Sequence, residues 1–468
     1  MKDPIDKQKR RLLKALAAVP LGSGVSMLAG NGAAHAMGCD TGKSLVCIFL
    51  AGGADSFNMF VPGGSSYTDY RDSRRELAVA ESDLLSVNDA QQGSFGFHSM
   101  LPGFEQLYSE NRMAVISNAG PLIRPTTKSD YLGTVALPQS LFAHNTQQKL
   151  WHTGAGIVNG NNAFGWGGAI SSHAANCNGN IPVAPAFSMG GSTDWLASAN
   201  SNYVSLNADV AVERMYGYDN ISDWIPTRRL SNVGRSLNEL IAQGQQSGNP
   251  LLTRAIANAV GRASDATSSL HSALQANPLP QMRYSGSNKL AKQLHLVAKL
   301  IASREELGMQ KQVFFVLMGG WDTHSDQLER QPDLLEALNE AITSFQTTID
   351  GINMASSVTS FTASDFGRTL TSNGNGTDHG WGGHSFVFGG AVDGGRVVGE
   401  TPNYATTNNA DDAGEDDGSF AGRIIPKISV NQYAATLAQW MGVSESELNS
   451  ALPDLQNFTE TNLGFMKA

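Results

Sequence analysis

The chain predicts an α/β fold organised around one open, mostly parallel sheet. Short apolar runs that are continuous rather than alternating read as strands buried on both faces. Segments of helical periodicity separate them, as in a wound α/β sheet. Asp and His residues then gather a few positions past the ends of those runs, where the connecting loops of such sheets converge on ligands.

Residues 1–36 read as an export leader rather than as part of the fold. Lys9, Arg10, Arg11 and Lys14 precede the mildly apolar stretch Ala15–Leu28, and Ala34-His35-Ala36 has the small-x-small pattern of a cleavage site. The Arg10-Arg11-Leu12-Leu13-Lys14 core looks like a twin-arginine signal, a route for already folded proteins. An uncleaved anchor is the alternative, although the stretch is short and contains Gly. Removing the leader takes six of the 32 Lys/Arg and two of the 42 Asp/Glu, so the formal charge of −10 becomes about −14. That balance disfavours nucleic acid as a partner, and no later stretch reaches eighteen apolar residues. A periplasmic or extracellular location follows from the leader.

One large domain over 37–468 is expected. Ser44–Leu50 is the first strand and leads into Ala51-Gly52-Gly53-Ala54-Asp55-Ser56. Leu101–Glu110 is helical and Met113–Ser117 is the second strand. Residues 228–304 carry Leu, Ala and Ile at helical spacing with no cluster of catalytic types, and read as a helical insertion or cap. Val313–Met318 is the third strand and runs into Gly319-Gly320-Trp321-Asp322-Thr323-His324. The helix Leu334–Ile349 leads to a fourth strand, Val358–Ala363. Phe386–Phe388 and Arg396–Val398 are short later strands, and Val430–Met441 is the last helix. The acidic run Asp411, Asp412, Glu415, Asp416, Asp417 reads as solvated surface, with weak calcium binding as the alternative.

Cysteines stand at 39, 47 and 177, so at most one internal disulfide forms. Cys47, inside the first strand, reads as a small apolar filler. Cys39 lies near the cleavage point, but Ala36-Met37-Gly38 before it is no Leu-rich lipobox.

The densest chemistry follows the fourth strand. Residues 364–384 hold Ser364-Asp365-Phe366-Gly367-Arg368-Thr369 and Thr377-Asp378-His379-Gly380-Trp381-Gly382-Gly383-His384. Carboxylates and imidazoles around a divalent cation polarise an oxyanion and acidify a bound water. Seven candidate ligands stand out: Asp55, Asp322, His324, Asp365, Asp378, His379 and His384. That set suffices for one or two divalent ions of the Zn, Mn, Mg or Ca type. Arg368 is a candidate clamp for a phosphate or sulfate group. Each has a plainer reading beside it. Asp55 in a Gly-Gly-x-Asp turn fits a capping role, and Arg368 fits a salt bridge to a buried carboxylate. His144 fits a structural histidine as well as a ligand. His98, His152, His173, His271 and His295 stand isolated in sequence.

Gly52-Gly53-Ala54-Asp55 with Asn58, Trp321-Asp322-Thr323-His324 with Gln327, Ser364-Asp365-Phe366-Gly367-Arg368, Thr377-Asp378-His379 with His384, and Gln432-Tyr433 with Thr436 and Trp440 resemble one family throughout the mature chain. It is the bacterial exported family called domain of unknown function 1501, placed with the alkaline phosphatase and sulfatase superfamily. The resemblance implies an alkaline-phosphatase-like three-layer sandwich and a metal-dependent hydrolase of phosphate or sulfate esters. The competing implication is a structural or binding protein that keeps the fold without turnover. By the same resemblance Asp55 looks like the first-strand ligand and Asp322 with His324 like an Asp-His ligand pair, with one residue between them instead of three. The superfamily's adjacent Asp-His pair corresponds either to Asp378-His379 or to Asp365-Phe366, where Asp365 replaces the family's more usual Glu. The nucleophile is implied at a helix N-terminus after the second strand, in Leu137–Gln148. Many relatives carry Ser-His where this chain has Ala143-His144, which leaves Ser140, Thr146, Ser56 or a metal-bound water for that role. A partner from the exported family called domain of unknown function 1800 is implied in the same way.

Overall fold

The apolar run after position 42 forms the middle of the sheet. The computed structural model describes Cys39 and residues 42–157, 164–209, 231–277, 279, 282–414 and 421–467. The leader, the start of the helical stretch at 228, and Glu415, Asp416 and Asp417 lie outside the described residues.

In chain order the first strands are β1 (Lys43–Leu50), β2 (Phe60–Pro62), β3 (Leu84–Asp89), β4 (Gly93–His98) and β5 (Met113–Gly120). Helices α1 (Ser65–Arg74) and α2 (Pro102–Ser109) lie among them, and α3 (Lys128–Tyr131), α4 (His144–Thr153) and α5 (Trp166–Asn178) follow. Next come β6 (Ala186–Ser188), β7 (Tyr203–Ser205), α6 (Ser231–Gly244), α7 (Leu251–Ala276), α8 (Lys289–Ala302), β8 (Lys311–Met318), α9 (Gln327–Gly351) and β9 (Val358–Ser364). The chain closes with β10 (Arg368–Ser372), β11 (Thr377–His379), β12 (Gly383–Phe388), β13 (Arg396–Val398), β14 (Ile428–Ser429), α10 (Val430–Trp440) and α11 (Glu445–Ala451).

The main sheet runs in the order β13-β5-β12-β9-β1-β8-β6-β7, with β14 added to β5. Strand β1 is parallel to both neighbours, in register from Lys43 with Lys311 and from Ser44 with Val358. Among the described strands of this sheet, β12 alone runs antiparallel, against β5 and β9. The mostly parallel sheet predicted from continuous apolar runs is therefore what forms, and the alternation of β1 shows why. Val46, Ile48 and Leu50 face one core together with Leu294, Val297, Leu338 and Phe345 of α8 and α9. Leu45, Cys47 and Phe49 face the other, with Trp151 of α4, Trp166 of α5 and Tyr433 and Leu437 of α10. Two helical layers thus enclose one sheet.

The stretch predicted as an insertion divides. Helix α8 is a core helix, since Leu290, Leu294, Val297 and Ile301 are all buried. Helix α7 packs its later part on the core through Leu270 and Ala273, while Leu240 of α6 and Leu251, Leu252 and Ile256 at the start of α7 are exposed. Helix α9 begins seven residues before the predicted Leu334, and Pro332 is carried inside it. The two motifs on either side of the Ser/Asn/Gly stretch after Thr369 pair with each other as the antiparallel ribbon β10–β11, with Arg368 opposite His379.

Candidate metal-binding site

Five segments meet beyond the carboxyl ends of β1, β8 and β9. The turn after β1 contains Gly52 at φ 120, and a Cβ there would lie 2.5 Å from the backbone nitrogen of Asp322. Only glycine lets these two strand-end turns close on each other. The turn after β8 carries Asp322 and His324, β9 hands over directly to Asp365, and the ribbon presents Arg368, Asp378 and His379. Helix α4 begins at His144 with Ala143 as its N-cap, so its N-terminal end enters from the side.

Each of the three imidazoles has its Nδ1 committed to an acceptor. His144 Nδ1 donates to Asp365 Oδ2 at 2.6 Å, His379 Nδ1 to the carbonyl of Phe142 at 2.7 Å, and His324 Nδ1 to Asp378 Oδ1 at 2.9 Å. In a neutral imidazole a proton on Nδ1 leaves Nε2 as a lone pair, the arrangement in which that nitrogen binds a metal. The three Nε2 atoms turn toward the Asp322 carboxylate. His144 Nε2 lies 3.5 Å from Asp322 Oδ2, while His379 Nε2 and His324 Nε2 lie 3.3 Å and 3.1 Å from Asp322 Oδ1. The Nε2 atoms of His324 and His379 are 2.8 Å apart. Ligand atoms of His144, Asp322 and His379 all fall within 4.8 Å of one another. Imidazole nitrogens and a carboxylate converging at these distances suit a divalent cation among them. Phe366 walls the site, its ring 4.8 Å from that of His144 and 4.4 Å from that of His379.

The charges around the cluster favour the same state. Partial burial pushes the Asp322 carboxyl up, but the Arg368 hydrogen bond and charge, with His324 and His144, outweigh it and hold it below its ordinary range. Burial likewise raises Asp378, and Asn373 and His324 more than offset this. His379 is held below its ordinary value by burial, against the pull of the Phe142 carbonyl and with Arg368, His144 and His324 adding to the fall. The carboxylates are thus ionised and the His379 ring neutral near pH 7, the forms in which they bind metal.

Several predicted residues do other work. Asp55 does not reach the cluster: it is buried and paired with the fully buried Arg74, and Gln327 Nε2 donates to its other oxygen. Asp365 is an orienting group rather than a member of the inner cluster, since it accepts from the Gly52 N–H at 3.0 Å and Gln148 Nε2 at 2.9 Å besides His144. Asp378 stands in the same relation to His324. His384 is buried apart, accepting from the Asn118 N–H at 3.4 Å and meeting the Tyr404 hydroxyl at 3.2 Å. Burial drives its pKa down to about 3, so it stays neutral.

Arg368 is no substrate clamp, because burial and neighbours consume it. Its Nη1 donates to Asp322 Oδ1 at 2.8 Å, Nε donates to Thr377 Oγ1 at 3.1 Å, and Nη2 donates to the Thr377 carbonyl. It fixes Asp322. Ser140 is exposed in a left-handed turn at φ 47, and the Thr146 N–H is taken by its neighbour Asn145. Neither hydroxyl bonds to the cluster. Ser56 is buried and accepts from the His384 N–H at 2.7 Å. Three partners lacked a sequence signal of their own: Arg74, Gln148 and the Phe142 carbonyl each act from a separate helix or loop, while Gln327 stood in a motif with no role attached to it. Of the acidic run, Asp411 pairs with Lys427 at 2.7 Å and Asp412 accepts from the N–H groups of Gly414 and Gly422, so both shape turns.

No curated protein sequence matches this chain. Among solved structures it is similar to a sulfatase from Pseudoalteromonas sp., at 8% identity and TM-score 0.37 over 91% of this chain and 74% of that one. The soluble domain of lipooligosaccharide phosphoethanolamine transferase A from Neisseria meningitidis is similar at 7% identity and TM-score 0.33, over 92% and 95%. A lipoteichoic acid synthase from Listeria monocytogenes follows at 8% and 0.31, over 90% and 76%. Likeness at that level assigns no activity. The sequence itself decides the family, since the model described as "Protein of unknown function (DUF1501)" matches residues 42–417, and the chain belongs to that family.

Proposed function

We propose that the protein is an exported metal-dependent hydrolase acting on a phosphate or sulfate ester. The observation that carries this is the convergence of the Nε2 atoms of His144 and His379 on the Asp322 carboxylate, with the Nδ1 of each ring engaged by an acceptor behind it. His144, His379 and Asp322 would hold one divalent ion, and imidazole with carboxylate at such spacing suits zinc or a similar ion. When bound, the ion supplies Lewis-acid polarisation of an ester oxygen and a more acidic water. Asp365 and the Phe142 carbonyl keep the protons on the Nδ1 atoms, in the manner of carboxylate–histidine–metal sets. Arg368 aims Asp322. His324, braced by Asp378, is the most exposed of the three rings and turns its Nε2 toward the same carboxylate. The N-terminal end of α4 brings its dipole to the same place, which favours an anionic group.

Ala143 supports a second reading. The N-cap of α4 is where relatives carry the serine, and this chain has no hydroxyl there, so a fold-retaining binding protein is the alternative. A partner of the family called domain of unknown function 1800 belongs to either reading on resemblance alone. Export agrees with the disulfide described below, and among the described residues no helix is long and apolar enough to cross a membrane.

Metal analysis of the purified chain tests the site, followed by turnover of aryl phosphates and aryl sulfates. About one equivalent of divalent metal is expected, lost in His379→Ala and Asp322→Ala together with turnover. A protein that neither contains nor takes up metal would overturn the hydrolase, and metal without metal-dependent turnover would favour the binding protein.

A further inference from the structure

A second cluster of ligand types sits where Cys39 meets α5. Cys39 and Cys177 form a disulfide with their Cα atoms 5.2 Å apart, and Cys47 stays a buried free thiol. His173 lies one helical turn before Cys177, so both project from the same face of α5. Its Nε2 is 3.6 Å from Cys177 Sγ, and ligand atoms of Cys39, His173 and Cys177 all lie within 4.8 Å of one another. Zinc bonds of about 2.3 Å to sulfur and about 2.0–2.1 Å to nitrogen give a tetrahedral S···N edge of roughly 3.6 Å. The other ring nitrogen is backed by a carboxylate. His173 Nδ1 lies 3.7 Å from Glu447 Oε1, and Glu447 Oε2 is anchored by the Ser444 hydroxyl at 2.6 Å and N–H at 2.8 Å. A carboxylate behind the histidine is the usual outer support of a metal-bound imidazole. Cys39 and His173 are buried, and part-exposed Cys177 leaves one side open for a fourth ligand such as water.

We propose that Cys39, Cys177 and His173 form a zinc site that exists only when the disulfide is reduced. A dithiol reductant breaks the Sγ–Sγ bond and supplies two electrons while closing its own disulfide, and the two protons end on Cys39 Sγ and Cys177 Sγ. Ion binding then displaces both protons, because thiolates are the ligands. Oxidation to the disulfide removes two of the three donors and expels the ion. The site is independent of the Asp322 cluster.

The test uses the full mature chain, chelator-stripped and titrated anaerobically with Co2+, with and without a phosphine reductant. A thiolate-to-cobalt charge-transfer band at one equivalent is expected only in the reduced protein, and the Asp322 cluster, lacking sulfur, gives none. Zn2+ is expected to bleach the band and re-oxidation to abolish it, with release of one equivalent of metal to a chromophoric chelator. The band should survive in Cys47→Ala and disappear in Cys39→Ser, while His173→Gln should weaken binding at least tenfold with the band still visible. Absence of the band in reduced wild-type protein overturns the proposal, whether circular dichroism then shows a folded or an unfolded chain. Loss of the band in Cys47→Ala with its retention in Cys39→Ser would overturn it equally.

Discussion

The inner cluster depends on which nitrogen of each imidazole carries the proton, and that is settled by residues that never touch an ion. Replacing Asp365 by Asn should leave the fold intact but weaken metal binding about 10- to 100-fold, because an amide holds the His144 Nδ1–H less firmly than a carboxylate. Competition with a chromophoric chelator reads this directly. Asp55 belongs to a different account. Its variant Asp55→Asn leaves Arg74 buried without its counter-charge and should cost about 3–5 kcal/mol of stability. Urea unfolding would show that loss while the folded fraction keeps its metal, and loss of metal without loss of stability would contradict the assignment. Asp322, His324 and His379 were legible because metal-type residues stood at strand ends. The role of Asp55 was not, because its partner Arg74 sits in α1 with no local mark of burial. His384 is the same lesson in reverse, since a histidine four residues beyond Gly380 reads like a ligand until Tyr404 and Ser117 are seen around it.

At the scale of elements, α4 and the turn after β1 carry the most consequence. Ala143 has the extended backbone of an N-cap but offers no side-chain acceptor to the helix. Ala143→Ser should stabilise the protein by about 0.5–2 kcal/mol in urea unfolding. It also places a hydroxyl beside His144, so turnover of an aryl ester should rise over the parent chain if the hydrolase reading holds. Gly52→Ala should do the opposite, since its Cβ would press on the Asp322 backbone nitrogen. We expect loss of metal uptake with a thermal midpoint lowered by several degrees, checked by metal analysis and calorimetry. The strands β1, β8 and β9 were legible in their apolar runs. The ribbon β10–β11 was not, because Ser, Asn and Gly in 372–376 give no apolar period, and its pairing is held instead by the buried Arg368.

Over the whole molecule, the disulfide and the buried histidine set responses that no single element shows. The Cys39–Cys177 bond spans 138 residues, and Cys39→Ser should lower stability by about 2–5 kcal/mol when metal is chelated, as read by urea unfolding. His384 has a folded pKa of about 3 against its ordinary 6.5. Between those values the unfolded chain binds a proton that the native chain refuses, so stability falls as pH drops from about 6.5 toward 3. Its contribution approaches 1.36 kcal/mol per pH unit, and His384→Gln should flatten the acid limb of the urea midpoint by about one proton's worth. The mostly parallel sheet was legible, but the direction of β12 was not, because its apolar part, Phe386–Phe388, carries no sign of the direction in which it will run.

Two of the three acceptors behind the imidazoles come from far along the chain: His144 and Asp365 are 221 residues apart, His379 and Phe142 are 237. The consequence is one of transferability. A fragment carrying Trp321-Asp322-Thr323-His324, or the ribbon with His379, transplanted into another scaffold would bring donors whose protons are free to sit on either nitrogen. The pattern of residues can therefore spread through related sequences by descent while the site itself survives only where the loop before α4, the end of β9 and the ribbon are inherited together.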